Sequence, residues 1–377
     1  MPTYCVTGAS GFIARVLIAQ LLDQGHKVRG TVRSLKNEDK LAPLRAIPGA
    51  DAGLELFEAN LMDDGSFDEV VQGCDGVFHT ASPYSMNVED PDRDLVQPAI
   101  RGTVTVLESC VKEPSVKRVV LTSSMAAIQD SPEDKTYTEE DWNETSTLKR
   151  NPYYFSKAEA ERAAWKFVED EARNTTGFDL VVINPVLVIG PEDGKGINPS
   201  NDVFKQIIEG AYPAIIDVAF GIVSVDDVAR AHVLGMEKAD AKGRHLCSAN
   251  TLHLRDICDI LSRTFPNLAP HLPKKNMSGA CGTALVKLST YVSGPKTQGV
   301  WVRTNIGRWP YLDTSKIRNE LGLEFAPLED SIRDAVLDML RQDKIKLPKK
   351  LSKEDAMVTA EVEKKDWTKT RPEKKKK

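Results

Sequence analysis

The chain has 377 residues, of which 41% are apolar and 28% are charged. This length is enough for a buried core and, at about 150 residues per domain, predicts two domains rather than a single small module. Its 50 Lys and Arg against 55 Asp and Glu give a formal charge of −5, which excludes a generally basic nucleic-acid-binding protein.

Short β-branched runs alternate with helical patterns through the first half of the chain. One helical pattern, with apolar residues at Ile13, Val16 and Leu17, follows the first run, and another covers residues 95–111. We predict five strands here, at residues 3–6, 27–32, 54–57, 76–81 and 118–121. Alternating strands and helices predict an α/β fold with a doubly wound parallel sheet, which binds ligands at the carboxyl ends of its strands.

The second half is less regular. Residues 179–189 resemble a sixth strand interrupted by Pro185, and residues 222–232 a strand that leads into a helix. Residues 262–312 are rich in Pro, Gly, Lys and aromatics, which predicts a looser substrate-binding lobe. We predict a sheet domain of residues 1–184 with returns near 217–243 and 304–314, and a discontinuous lobe of residues 185–216, 244–303 and 315–345.

The last 32 residues differ in charge from the rest of the chain. Residues 346–377 hold eleven Lys and one Arg against six acids, a charge of +6, whereas residues 1–345 hold 38 basic and 49 acidic residues, a charge of −11. Few apolar residues and a run of like charges predict a disordered Lys-rich tail. We interpret it as solubilising rather than as a localisation or membrane-surface signal.

Cysteine usage and hydropathy indicate the compartment. The six cysteines are far apart in sequence and show no C-x-x-C or paired metal spacing, which predicts reduced thiols and a cytoplasmic protein without a metal. No basic, apolar leader follows Met1. The most apolar stretch, residues 180–189, is broken by Asn184 and Pro185 and is shorter than the roughly 20 residues of a membrane span, so we expect no stable membrane insertion.

Residues 8–14 form a G-x-x-G-x-x-[GA] turn between the first predicted strand and helix. Gly8 permits a tight turn, Gly11 lets a diphosphate approach the backbone, and Ala14 allows the helix to pack closely on the strand. The amides of the helix N-terminus then face the phosphates. A plain glycine-rich turn is the alternative, but the flanking strand and amphipathic helix favour a dinucleotide site.

The end of the second strand indicates which dinucleotide is bound. Sites that select NAD usually place an Asp or Glu about 20 residues after the glycine turn, on the ribose 2′-OH. This chain instead has Arg33, with Lys40 downstream. A guanidinium there can stack on adenine and pair with a 2′-phosphate, which a carboxylate would repel. A solvated charge neutralised by Glu38 and Asp39 is the alternative; we predict NADPH.

Tyr153 and Lys157 are four residues apart, on one face if their segment is helical. Asn151 as a cap and Pro152 in the first turn favour a helix. Upstream, the fifth strand ends in Thr-Ser-Ser at residues 122–124. A lysine ammonium stabilises a nearby phenolate, so the phenol can exchange a proton with a carbonyl oxygen that a serine hydroxyl holds in place. The Y-x-x-x-K spacing also occurs by chance, but its position after a nucleotide-binding half favours catalysis.

These motifs resemble the extended short-chain dehydrogenases/reductases, in the branch of dihydroflavonol reductases, cinnamoyl-CoA reductases and aldehyde and ketone reductases. The similarity is dense from residue 6 to about 247 and resumes at residues 312–340. The matching motifs are VTGASGFI (6–13), GTVR (30–33), GSFD (65–68), GCDGVFH (73–79), VVLTSS (119–124), the Tyr153/Lys157 pair, GP (190–191), VDDVARAH (225–232) and DTSK (313–316).

The resemblance implies a Rossmann domain that binds NADPH, and a role for each matching residue. Tyr153 would be the proton donor, Lys157 its activator and a ligand of the nicotinamide ribose, and Ser124, rather than Ser123, the clamp on the carbonyl oxygen. Arg33 and Lys40 would hold the 2′-phosphate. The other implied cofactor contacts are Tyr153 itself and Gly8, Ser10, Gly11, Phe12, Ile13, Asn60, Leu61, Thr80, Ala81, Ser82, Thr122, Pro185 and Val188.

Some positions depart from the family pattern. Asn60 stands where relatives commonly have Asp against the adenine, and Thr105 where many carry Asn. The sequence NPYYFSK at residues 151–157 does not match the NWYCYGK of the cinnamoyl-CoA branch, which argues against a CoA thioester substrate. Gln129 falls near the position that reads flavonoid hydroxyls, where Asn is usual. The identity of the substrate therefore stays open.

We expect an NADPH-dependent oxidoreductase that transfers a hydride to the carbonyl of a small aldehyde or ketone by a Ser–Tyr–Lys mechanism. One alternative is an NAD-dependent sugar-nucleotide epimerase or 3β-hydroxysteroid-type dehydrogenase, against which Arg33 argues. The other is a non-enzymatic NADP-sensing regulator; such proteins tend to lose the Tyr–Lys pair. We expect no nucleic-acid partner. Homodimers formed through a pair of long helices are common in this superfamily. In this chain the corresponding helices would be residues 95–111 and 152–168.

Overall fold

A computed structural model of the chain describes residues 1–82, 89–194, 196–291 and 296–362, together with residues 364 and 367; residues 296–300 are described by their backbone only. The strands are β1 (Thr3–Thr7), β2 (Lys27–Val32), β3 (Leu54–Glu58), β4 (Gly76–His79), β5 (Arg118–Thr122), β6 (Thr136–Tyr137), β7 (Asp179–Pro185), β8 (Leu187–Ile189), β9 (Ile215–Ile216), β10 (Ala219–Ser224), β11 (Gly243–Cys247), β12 (Asn250–His253), β13 (Asn276–Met277) and β14 (Tyr311–Leu312).

The α-helices connect these strands and also cover the carboxyl-terminal part. They are α1 (Phe12–Asp23), α2 (Glu38–Arg45), α3 (Ala50–Gly53), α4 (Asp68–Val71), α5 (Gln97–Cys110), α6 (Pro152–Glu169), α7 (Pro199–Ile208), α8 (Val225–Glu237), α9 (Leu254–Thr264), α10 (Ala280–Ser289), α11 (Lys296–Asn305), α12 (Ser315–Leu321), α13 (Leu328–Arg341) and α14 (Lys353–Ala356). A π-helical turn, Asp92–Val96, precedes α5, and 3₁₀ turns lie at Met125–Ala127 and Ala269–His271. Among the residues that the structure describes, no helix is long and apolar enough to cross a membrane.

Seven parallel strands form the main sheet, in the order β3-β2-β1-β4-β5-β7-β11. The five strands predicted from the sequence are all present, with ends that differ by two residues or fewer. The strand order reverses between β1 and β4, which is where doubly wound sheets open a crevice for a ligand. The predicted α/β class and sheet type are confirmed.

Helices cover both faces of this sheet. Helix α1 contributes Leu17 and Leu21 to a core that also holds residues of α8 and α12. On the other face, α4, α5 and α6 pack over the sheet, with Val106 and Phe167 fully buried. Because the central strands are covered on both sides, β4 is buried along its whole length and β5 from Arg118 to Leu121, without the alternation of a half-exposed strand.

The predicted sixth strand is two strands in two sheets. Strand β7 ends at Pro185 beside β11, and after Val186 the chain continues as β8 in a three-stranded sheet of β8, β10 and β12. Proline has no N–H to donate to a neighbouring strand, so the main-sheet ladder stops at Pro185. The split therefore separates the main sheet from the three-stranded sheet.

Residues near two of the predicted domain boundaries pack with the main sheet. Strand β11 is the edge strand of the main sheet, so the sheet domain extends past residue 243. Helix α12 packs on β11 and α8, and its Ile317 and Leu321 are buried in the sheet core, so residues 315–321 do not belong to the lobe. The predicted return at 304–314 contributes β14, which pairs with β6 outside the main sheet.

The prediction of a disordered tail is wrong for the part of it that the structure describes. Ala356 and Trp367 are buried in the lobe core, and Leu347, Leu351 and Met357 pack against that core. The Ala360 amide donates to the Thr264 carbonyl, and the Trp367 indole N–H donates to Glu329 over 2.9 Å. The apolar residues are sparse but reach a surface built by α9 and α13. The remaining tail residues lie outside the described part of the chain.

We expect Trp367→Ala to lower the free energy of unfolding by about 3 kcal/mol, because truncation of a buried tryptophan leaves a cavity and here also leaves Glu329 without its indole donor. Denaturant titration measures the change. A chain that lacks residues 371–377 loses four lysines but none of these contacts and serves as the control. Equal stability of Trp367→Ala and the unaltered chain would show that this contact contributes nothing.

Candidate active site

Most of the residues predicted for the site lie at one edge of the main sheet. The adjacent strands β2, β1, β4, β5 and β7 are parallel, so their carboxyl ends all reach this edge. It carries the glycine turn after β1, Thr80 to Ser82 after β4, Ser123 and Ser124 after β5, and Pro185 at the end of β7. Residues up to 180 positions apart in sequence therefore meet in one crevice.

The glycine turn is closely packed and leaves the N-terminus of α1 open. Gly8 has a φ of +67°, and a Cβ there would lie 3.0 Å from the side chain of Ala81. The Gly8 amide donates to Thr31 Oγ1 over 2.9 Å, which ties the turn to β2. Helix α1 begins after Gly11 without a side-chain cap and without an acid in its first turn. Its first amides are thus available to an anion, and this turn fits the diphosphate of a dinucleotide.

Hydrogen bonds through Thr7 align the end of β4 with the end of β1. The Ala81 amide donates to Thr7 Oγ1 over 3.0 Å, and Thr80 Oγ1 donates to the Thr7 carbonyl. Thr7 Oγ1 also forms a 2.8 Å hydrogen bond with His79 Nδ1, whose tautomer sets which of the two groups donates. Burial lowers the pKa of His79 to about 3, so this histidine is neutral and structural.

Arg33 and Lys40 are exposed beyond the end of β2 and the start of α2. Glu58 is the acid at the end of the neighbouring strand β3, and its carboxylate accepts the Leu35 amide over 3.1 Å. This acid is therefore engaged with the backbone. This arrangement suits a 2′-phosphate better than a free ribose hydroxyl. Arg33 and Lys40 are exposed basic groups, whereas the Glu58 carboxylate is hydrogen-bonded to the Leu35 amide.

Helix α6 carries the Tyr153/Lys157 pair. Pro152 opens the helix, as predicted, but Asn151 does not cap it: Asn151 has a left-handed backbone, and its side-chain amide donates to the buried Asp130. Lys157 Nζ lies 5.9 Å from the centroid of the Tyr153 ring and donates to Ser82 Oγ over 3.0 Å. The lysine thus links α6 to the end of β4.

Burial lowers the pKa of Lys157 to about 8, and the charge of Glu161 acts against that shift. The ammonium is therefore still the main form at neutral pH, although its charge is only partly solvated. A cation held in this way stabilises negative charge on a neighbouring phenol.

The two serines after β5 have different surroundings. Ser123 is buried, and its hydroxyl donates to Glu161. Ser124 is half-buried; its Oγ accepts the Ala126 amide over 3.1 Å, which leaves the hydroxyl hydrogen available as a donor. Of the two serines, Ser124 is thus the one whose hydroxyl hydrogen is not already donated to Glu161.

Four of the expected cofactor contacts are engaged elsewhere. Asn60 donates to Asp63 and accepts the Met62 amide, and Leu61 packs against Gly102 of α5. The hydroxyl of Thr122 lies 2.6 Å from His232. Val188 lies in the second sheet, paired with Val223.

Sequence reasoning missed Glu161, which lies one helical turn after Lys157. Its carboxylate accepts hydrogen bonds from Ser123, Asn184, Trp165 and Arg244. The i,i+4 spacings to Lys157 and Trp165 on α6 were the local signals, whereas Ser123, Asn184 and Arg244 come from distant parts of the chain.

A glycine turn at the carboxyl edge of a parallel sheet, with Tyr153 and Lys157 on a helix beside it, is characteristic of dinucleotide-dependent dehydrogenases and reductases. Within that class the chain belongs to the NAD dependent epimerase/dehydratase family, whose sequence model matches residues 4–247.

Similar proteins are reductases that match nearly the whole chain. Cinnamoyl-CoA reductase CAD2 of Medicago truncatula is 40% identical over 88% of this chain and 94% of its own length. Tetraketide alpha-pyrone reductase 1 of Arabidopsis thaliana is 38% identical over 90% of this chain and 95% of its own. The crystal structure of yeast methylglyoxal/isovaleraldehyde reductase Gre2 complexed with NADPH superimposes with a TM-score of 0.75, at 30% identity, over 91% of this chain and 99% of that one.

Proposed function

We propose that this protein is an NADPH-dependent carbonyl reductase that reduces a small aldehyde or ketone to the alcohol. The observation that carries the proposal is the placement of Tyr153 and Lys157 on α6, with Lys157 bonded to Ser82 at the crevice and Ser124 at the end of the neighbouring strand. The reductases with similar sequences and the yeast Gre2 structure support the same reaction class.

NADPH, when bound, supplies the hydride that reaches the carbonyl carbon. The turn at Gly8 and Gly11 and the amides of α1 would hold its diphosphate, Arg33 and Lys40 its 2′-phosphate, and Lys157 its nicotinamide ribose. Further proposed contacts are Ser10, Phe12, Ile13, Thr80, Ala81, Ser82 and Pro185. The side chains of Asn60, Leu61, Thr122 and Val188 are engaged elsewhere in the protein. These four residues would contact the cofactor through their backbone or by van der Waals contact.

The chain's own residues manage the oxygen of the substrate. Ser124 donates a hydrogen bond to the carbonyl oxygen and holds it near Tyr153. As negative charge develops on that oxygen, Tyr153 transfers its phenolic proton to it. Lys157 stabilises the phenolate left behind, and solvent then restores the proton.

Three other activities make different predictions. An NAD-dependent epimerase or a 3β-hydroxysteroid-type dehydrogenase requires preference for NAD, which Arg33 and the engaged Glu58 disfavour. A cinnamoyl-CoA reductase acts on a thioester, and the residues between Tyr153 and Lys157 differ from that pattern. An NADP-sensing regulator does not need a Tyr–Lys pair in working geometry.

The test is a comparison of NADPH and NADH consumption with aliphatic aldehydes, aromatic aldehydes, α-ketoesters, dihydroflavonols and a cinnamoyl-CoA thioester. We expect turnover with NADPH and a free carbonyl compound. Turnover only with a thioester, preference for NADH, or binding of NADPH without turnover of any compound would each overturn the proposal in favour of one alternative.

We expect Arg33→Ala to raise the KM for NADPH about tenfold or more, because a charge-assisted hydrogen bond to the 2′-phosphate is lost. The KM for NADH should change less than threefold, since NADH has no such phosphate. Arg45→Ala removes a nearby arginine that is paired with Glu38 and is the matched control. Parallel loss with both cofactors would argue against a phosphate contact.

Two further features belong to this proposal. All six cysteines are free thiols and five are buried, which suits the reducing environment of the cytoplasm. Helices α5 and α6 pack against each other on one face of the sheet, and we propose this helix pair as the contact of a homodimer.

A further inference from the structure

Glu161 is a fully buried carboxylate next to the proposed catalytic residues, and the reaction described above does not use it. An isolated buried carboxylate is costly, so its surroundings have to compensate the charge. Here four donors do so: Ser123 Oγ and Asn184 Nδ2 reach Oε2, while Arg244 Nε and Trp165 Nε1 reach Oε1.

One oxygen of Glu161 is tied to the part of the sheet edge that holds Ser124. Ser123 is the residue before Ser124, and its amide donates to the Ile183 carbonyl while its hydroxyl donates to Glu161. Asn184 donates to Glu161 over 2.8 Å and to the Ser124 carbonyl over 3.2 Å. Ser124 is therefore fixed on both sides of its peptide by groups that Glu161 holds.

The other oxygen of Glu161 faces Arg244 of β11. The Arg244 guanidinium also donates to the carbonyls of Glu139 and Asp141 and stacks on Trp142, 4.0 Å from the ring centroid. These contacts keep the arginine in place and separate Glu161 from solvent. The charge of Glu161 is therefore balanced in part by Arg244 but is little screened by water, so it still acts on neighbouring groups of the active site.

Glu161 also follows Lys157 by four residues on α6, so the two side chains lie on the same side of the helix. The groups around Lys157 are Tyr153 and Glu161 from α6, Ser82 after β4, and the neutral His79 from β4. Of these groups, Glu161 is the carboxylate, and its charge acts against the effect of burial on Lys157.

We propose that Glu161 is a positioning residue of this active site, which fixes Ser124 through Ser123 and Asn184 and provides the negative charge that offsets the Lys157 ammonium. The inference rests on the proposed reductase function. A merely structural carboxylate would affect stability but would leave the pH dependence of turnover in place.

The test is Glu161→Gln, with steady-state kinetics across pH on an aldehyde that the unaltered enzyme reduces with NADPH. Glutamine keeps the size of the side chain but removes its charge, and it places an NH₂ group against groups that are themselves donors. Asn184 is one of these donors. It could present its oxygen to the new NH₂ group only by flipping its amide, which would break its hydrogen bond to the Ser124 carbonyl. We expect kcat to fall at least tenfold and the KM for NADPH to change less than threefold. The alkaline limb of kcat should move to lower pH, because the burial that lowers the pKa of Lys157 is then unopposed.

Glu159→Gln is the matched control, since Glu159 lies on the same helix, is partly exposed and pairs with Arg162 at 2.7 Å. It should match the unaltered enzyme in kcat and pH profile. Glu161→Asp keeps the charge but withdraws the carboxylate, so it should lower kcat and leave the alkaline limb in place. This variant tests the positioning role if Glu161→Gln does not fold, and an unchanged kcat in Glu161→Asp would overturn that role.

A folded Glu161→Gln with the kcat and alkaline limb of Glu159→Gln would overturn the inference while the reductase function stands. If the unaltered enzyme reduces no carbonyl compound with NADPH, the proposed function fails first and the inference fails with it.

Discussion

Tyr153→Phe should lower kcat for carbonyl reduction at least a thousandfold. The substitution removes only the hydroxyl, which in the proposed reaction provides the proton to the substrate oxygen, and acid catalysis by a positioned group contributes roughly 10²–10⁴-fold. Ser124 and Lys157 remain in this variant, but a serine hydroxyl is too weak an acid to transfer the proton of its hydrogen bond, and Lys157 is proposed to act on Tyr153 and the ribose rather than on the substrate oxygen. The developing negative charge would then have to be carried without protonation.

Cofactor binding separates this result from a general loss of structure. NADPH is proposed to contact the glycine turn, the α1 amides and Lys157, so titration of NADPH fluorescence with Tyr153→Phe should give a Kd within about twofold of the unaltered protein. Tyr154→Phe is a matched control, because it removes a hydroxyl from the adjacent tyrosine, whose hydrogen-bond partner is Trp301 rather than a group at the sheet edge. A Tyr153→Phe enzyme with ordinary turnover would remove the basis of the proposed reaction.

The sheet and the glycine turn could be predicted because their signals are local. Each strand from β1 to β5 is a short run with β-branched or other apolar residues, and the G-x-x-G-x-x-[GA] spacing lies directly between β1 and α1. The two strands within residues 179–189 were harder to predict. Apolar residues lie on both sides of the point at which the chain passes from the main sheet to the three-stranded sheet. Only the missing N–H of Pro185 marks that point, and the sequence pattern does not specify the partner of β8.

The tail and Glu161 show what local patterns leave out. Trp367 is one apolar residue among lysines, and the surface that buries it is formed by helices more than 25 residues away. Apart from Trp165 on the same helix, the partners of Glu161 come from the end of β5 and from β7 and β11, strands whose adjacency is set by the sheet order. The packing of Trp367 and the hydrogen bonds of Glu161 are both stabilised by residues that are distant in sequence. Composition and periodicity do not encode such long-range contacts.

Lys157→Met should combine a large loss of turnover with weaker cofactor binding. Methionine keeps most of the volume of the side chain but removes the charge that favours the Tyr153 phenolate and the donor that reaches Ser82. We expect kcat to fall at least a hundredfold and the Kd for NADPH to rise several-fold, because the proposed ribose contact is lost with the ammonium. A Lys157→Met enzyme with near-normal kcat would exclude a catalytic role for the Lys157 charge.

The pH dependence of the unaltered enzyme provides an independent check on the same residue. Burial lowers the pKa of Lys157 to about 8, and the charged form is the one proposed to act, so kcat should be level near pH 7 and should fall as the pH rises through about 8. Lys157→Arg keeps a cation that does not lose its proton in this range, so whatever activity remains should no longer decline above pH 8. If Lys157→Arg and the unaltered enzyme share the same alkaline decline, the titrating group is another residue and Lys157 acts only as a hydrogen-bond donor.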